Sequence, residues 1–180
     1  MSSFLRLLVL IFGMAILCVT ACSYENDYAK RMEKLASQAH SSSAEGSAAI
    51  DQLIQFSGSA DYWERYYALV YLGQTALAGN TEVHVRVIPV LAGALDDKHQ
   101  AVQRDVVCAI RDIGAEAVDQ VVPQLIHFVN SRDERDVSWF AAEALGKSKD
   151  ARNRQQIINT LVQALDKRPN QLPLEAPQIR

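Results

Sequence analysis

The sequence predicts an all-α chain folded as a short α-solenoid of helical hairpins. Three observations carry this. Val102, Val106, Val107, Ala109 and Ile110 recur 35 positions later as Val137, Ala141, Ala142, Ala144 and Leu145. Val87, Ile88, Leu91 and Leu95 recur 34 positions on as Val121, Val122, Leu125 and Val129, and a further 36 on as Ile157, Ile158, Leu161 and Leu165. Within this second set the spacing is i, i+1, i+4, i+8, which places all four residues on one helical face and excludes strand alternation. Hairpins with this period cannot bury their apolar faces alone, so they stack on their neighbours.

Length and composition agree with one such domain plus appendages. The chain has 180 residues, 49% of them hydrophobic, and a net charge of −3. Arg6 is the only charge in the first 21 residues, so the remainder carries −4. Together with the lack of a Lys/Arg cluster, this argues against a nucleic-acid partner. Of the three cysteines, Cys18 and Cys22 lie near the N-terminus and Cys108 stands alone. No intramolecular disulfide is expected.

In chain order, Leu7 to Val19 is an apolar run behind a short segment charged only at Arg6. Thirteen residues suit the core of an export signal and are short for a membrane span. Val19-Thr20-Ala21-Cys22 follows. It resembles the lipobox of bacterial lipoproteins, in which a diacylglycerol is added to the cysteine thiol and the signal is cut just before it. The resemblance implies a signal peptide over 1–21 and a mature N-terminus at Cys22. It also implies a membrane anchor of several acyl chains, palmitate among them, each buried CH₂ contributing roughly 0.8 kcal/mol. The residue after the cysteine is Ser23, not Asp, and in enterobacterium-like cells this resembles cargo sent to the outer membrane, facing the periplasm; in a Gram-positive source that sorting inference lapses.

Residues 22–47 are expected to be the lipidated N-terminus and its tether. Glu25 to Gln38 has helical potential through Tyr28, Met32 and Leu35, and reads either as a spacer or as a first, imperfect capping helix. Ser41 to Ser47 reads as a flexible joint. The repeat domain is placed at 48–166. Ile50, Leu53, Ile54 and Phe56 define its first short helix. Asp61 opens the next, to about Leu77, with Gly73 as an interruption. A second apolar helix is expected over Ala117 to Asn130. Asp97 with Gln100, and Ser131 with Glu134, read as helix-start boxes. Gly114 and Gly146 read as helix ends able to take the left-handed conformation. Pro89 and Pro123 share one repeat position, near the first turn or a kink of the second helices. Residues 167–180, with Pro169, Pro173 and Pro177, read as an extended or disordered tail. Leu172 and Leu174 are the residues through which it would fold back or meet a partner.

The repeats resemble the HEAT family, in particular the short HEAT-like repeats of phycobilin lyases. The matching residues are Asp133, Val137, Ala141-Ala142, Ala144-Leu145-Gly146, preceded by Val121-Val122-Pro123 and Leu125. The middle repeat has Arg111 where Gly146 stands, and the first has Glu64 at the valine position. The resemblance covers about Asp61 to Leu165 and implies a right-handed solenoid whose second helices line the concave side. Their polar edge would carry Arg86, Gln120, Gln124, His127, Gln156, Asn159 and Gln163, a near-neutral face suited to hydrogen-bonding a protein partner, or simply the solvated side of amphipathic helices.

A second candidate surface is aromatic. Tyr62, Trp63, Tyr66, Tyr67 and Tyr71 crowd one helix, more than one buried stripe needs. Trp63, Tyr67 and Tyr71 form the candidate patch. The alternative is packing at a helix junction with hydroxyls outward. No metal spacing links His40, His84, His99 and His127, and no phosphate loop is present. Asp96-Asp97 and Arg132-Asp133 read as capping turns paired with Arg104 or Arg135, and Cys108 as a small core residue. No cofactor is expected, and the expected activity is binding, not catalysis: a scaffold or assembly factor for an envelope protein. The alternatives are tetrapyrrole-type small-molecule handling, by analogy with the bilin lyases, and an inert stalk.

Overall fold

The computed structural model describes residues 27–41, 43–131 and 135–166. The segment read above as an export signal, Cys22, Arg132 to Glu134 and residues 167–180 lie outside the described residues, as does the second half of the expected Ser131–Glu134 box. Every regular element among the described residues is an α-helix, and no strand occurs among them. In order these are α1 (27–39), α2 (Ala44–Ser57), α3 (Tyr62–Leu77), α4 (Thr81–Ala94), α5 (Gln100–Ile113), α6 (Ala115–Val118), α7 (Val122–Asn130), α8 (Arg135–Leu145) and α9 (Arg154–Asp166). They fall into two compact units divided between Thr75 and Ala76.

In the first unit α1 is an integral helix. Met32, Leu35, Ala36 and Ala39 repeat at helical spacing and are buried. Arg31 pairs with Glu64 at 3.3 Å and lies over the Phe56 ring at 4.2 Å, tying α1 to α2 and α3. The segment expected to be a flexible joint is a tight turn followed by helix. Ser43 caps α2 by accepting from Gly46 N, and Ser41 and Ser43 share a hydroxyl hydrogen bond of 2.8 Å. Gly46 is buried because the Ser41 carbonyl sits where its Cβ would be. Asp61 Oδ1 accepts from Glu64 N at 3.0 Å, so α3 starts where its capping residue predicts. Gly73 interrupts nothing: α3 runs through it, and it is buried.

In the second unit α4 packs on α5, α5 on α6 and α8, and α7 on both α8 and α9. Val87, Ile88, Leu91 and Leu95 of the first copy are all buried, as are Val121, Val122, Leu125 and Val129 of the second. Burying each such side chain stabilises the fold by about 1.5–3 kcal/mol. Arg111 joins α5 to α8, lying over Phe140 at 5.1 Å and pairing with Glu143 at 3.0 Å.

The helix expected over Ala117 to Asn130 is broken at 119–121. Pro123 is the reason: it has no N–H for the Asp119 carbonyl, and its ring clashes with that carbonyl in a continuous helix. Gln120 N and Val121 N instead bond the tighter i−3 carbonyls of Ala117 and Val118. Pro89 occupies the same repeat position, yet α4 continues through it. The carbonyl that loses its i+4 partner belongs to Val85, a residue exposed to water. Asp97 binds the backbone N–H of His99 at 2.9 Å, just before α5. Gly114 ends α5 at φ 97°, a conformation that favours glycine, whereas Gly146 ends α8 at negative φ.

Candidate functional site

The candidate protein-binding residues all lie in the second unit. Arg86 is half-buried on α4. Gln124 is half-buried and His127 exposed on α7, while Gln156, Asn159 and Gln163 are exposed on α9. Because α7 packs on α9, the last five belong to adjacent helices. Gln120 departs from the expectation. The Pro123 break places it in the turn before α7, where its Nε2 donates to the Glu116 carbonyl at 3.3 Å. Asn159 is also engaged locally, its Oδ1 accepting from Gln155 Nε2 at 3.0 Å. Gly93, the α4 counterpart of His127 and Gln163, is exposed with open space around its missing Cβ.

The aromatic cluster lies on α3, with every ring half-buried. Tyr62 stacks on Tyr66 at 5.7 Å and Trp63 on Tyr67 at 6.0 Å, each pair one turn apart. Tyr66 and Tyr67 meet edge to face at 5.2 Å. The rings thus pack on one another along the helix surface, which resolves their excess over one buried stripe. Tyr71 stands apart from these contacts; burial, and then the Glu33 carboxylate on α1, push its phenol up.

Of the reactive groups, Cys108 is half-buried on α5. Burial is the main influence on its thiol and pushes its pKa up, so it stays protonated at neutral pH and is a poor nucleophile. Arg104 pairs with its neighbour Asp105 at 2.8 Å. Among the described residues no group of three or more His, Cys, Asp or Glu side chains is placed to hold a metal ion. No described helix is long and apolar enough to cross a membrane.

Three polar arrangements were not legible in the sequence. Buried Arg65 donates to the Ser59 carbonyl at 2.7 Å and so fastens the turn before α3. Asp119 Oδ1 gathers Ser148 Oγ at 2.6 Å, Lys149 N at 3.1 Å and Asp150 N at 3.3 Å, fixing the loop between α8 and α9. His84 bridges Glu116 Oε2 and the Ala76 carbonyl at 2.7 Å and 2.9 Å. Each joins residues far apart in the chain or a side chain to a backbone carbonyl, and neither leaves a local pattern.

The described residues therefore define an all-helical protein class, with amide-bearing helices in one unit and an aromatic helix in the other. No family model matches the chain, and no curated protein matches it.

Proposed function

We propose that this chain is a lipid-anchored bacterial envelope protein that binds another envelope protein, as a scaffold or assembly factor, through the second helices of a HEAT-like solenoid. The observation that carries the reading is the row of near-neutral polar side chains on adjacent α7 and α9: Gln124, His127, Gln156, Asn159 and Gln163. Amides donate and accept at once, so such a surface hydrogen-bonds a polypeptide without selecting strongly for charge. The 34–36-residue recurrence of the second helices supports the solenoid, and α5 against α8 and α7 against α9 are two pairings of like helices in keeping with it. The Val19–Cys22 motif supports the anchor.

In-cell crosslinking with mass spectrometry, on the native chain and on a Gln124/Gln156/Gln163→Glu variant, tests this. The expected result is one defined envelope partner for the native chain, reduced at least about tenfold in the variant with helicity unchanged, as buried unpaired carboxylates at an interface cost binding. Retention of that partner by the variant moves the binding surface elsewhere. No partner in either sample overturns the scaffold reading in favour of an inert stalk.

A further inference from the structure

The third copy of the second helix has a bare face. On α9, Ile158, Val162 and Leu165 are 47%, 51% and 64% exposed. They lie at i, i+4 and i+7 and so form one apolar row, distinct from Ile157 and Thr160, which are buried. The two earlier copies do not share this exposure. Ile88 and Val122, the counterparts of Ile158, and Leu95 and Val129, the counterparts of Leu165, are at most 4% exposed. In each earlier copy the second helix packs against the helix that directly follows it, α4 against α5 and α7 against α8. Ser138 Oγ of α8 reaches the Val129 carbonyl at 3.3 Å, at the same repeat position as Leu165. The chain that directly follows α9 is 167–180.

We infer that residues 167–180 cover the Ile158–Val162–Leu165 row, taking the place that α5 and α8 take over the earlier copies. Pro169, Pro173 and Pro177 lack the N–H groups that another such helix needs, so the cover is an extended strap. Its reach is sufficient. The row spans about 10 Å along α9 at a rise of about 1.5 Å per residue. Six residue steps separate Asp166 from Leu172 and eight separate it from Leu174, about 20 Å and about 26 Å of extended chain, enough for a turn directly after Asp166 and a return of about 6 Å to Val162 and about 12 Å to Ile158. Leu172 and Leu174 are then about 6.6 Å apart on one side of the strap, matching the rise of about 6 Å between Ile158 and Val162. The strap supplies apolar contact to a face of α9 that is otherwise open to association.

The test places the photo-crosslinking residue benzoylphenylalanine at Leu174 in the full chain. It is combined with hydrogen exchange on the wild type and a Leu172→Glu/Leu174→Glu variant, which leaves every residue of α1 to α9 unchanged. The expected result is a crosslink from position 174 to α9 peptides within a single chain, and α9 amides that exchange at least about tenfold faster in the variant while α5 is unchanged. Crosslinks to other elements, or exchange of α9 identical in the two proteins, overturn the strap. So do α9 crosslinks formed only between differently mass-labelled copies, which assign the row to a second copy of the chain.

Discussion

His84 shows what one side chain decides. Both of its ring nitrogens face groups that only accept: the Glu116 carboxylate at Nδ1 and the Ala76 carbonyl at Nε2. A neutral imidazole donates through one nitrogen and leaves the other opposed to an acceptor, whereas the imidazolium donates through both. Burial lowers the pKa of this group, but the hydrogen bonds to Glu116 and Ala76, with the Glu116 charge, outweigh it and raise the value above the ordinary 6.5. Glu116 is the charged side chain acting on the ring. The sign follows from linkage: a raised folded-state value means the stabilisation is complete below about pH 6.5 and is lost as pH rises through the folded value. Melting temperature is therefore expected to fall between about pH 6 and about pH 8, with that fall reduced in Glu116→Gln, which keeps the side-chain shape without the charge. Equal pH dependence in the two proteins refutes a stabilising imidazolium.

At the scale of elements, the turn before α2 separates packing from flexibility. Ser41, Ser43 and Gly46 have the composition of a linker, and composition alone predicts one. What makes the segment ordered is the Ser43 cap and the close approach of the Ser41 carbonyl to Gly46. Gly46→Ala is expected to destabilise the protein by about 1–3 kcal/mol, because the neighbour that must move is backbone. Chemical denaturation checks this, and an unchanged midpoint restores the flexible joint. Legibility divides along the same line. The second-helix faces were readable because Val87, Val121 and Ile157, 34 and 36 residues apart, each open the same i, i+1, i+4, i+8 aliphatic set, and Asp61 marked the start of α3. The break at 119–121 was legible only in part: Pro123 stands in the first turn of α7, one of its two expected places, but Pro89 looks the same in sequence and stands within a continuous helix. The amide row was legible as exposed positions on two helices; the displacement of Gln120 from it follows from that same break.

At the scale of the whole molecule, the proposed function depends on where the chain is held, and one atom decides that. The Cys22 sulfur is the nucleophile to which the lipobox resemblance assigns the diacylglycerol. A thiol attacks where a hydroxyl or methyl does not, so the lipid-bearing step has no substitute at this position. One acyl chain holds a protein to a bilayer only marginally, and two or more hold it stably, so on the proposed reading loss of this single site is expected to change the address of the entire chain. In cells fed labelled palmitate, the native protein is expected to carry label and to yield a lipid-modified N-terminal peptide starting at Cys22. Cys22→Ala is expected to lose the label and to retain residues 1–21, because cleavage at this kind of site acts on the lipidated cysteine. An unlabelled native protein with an N-terminus elsewhere removes the anchor from the proposal. The amide row on α7 and α9 then has to find its partner as an unanchored surface.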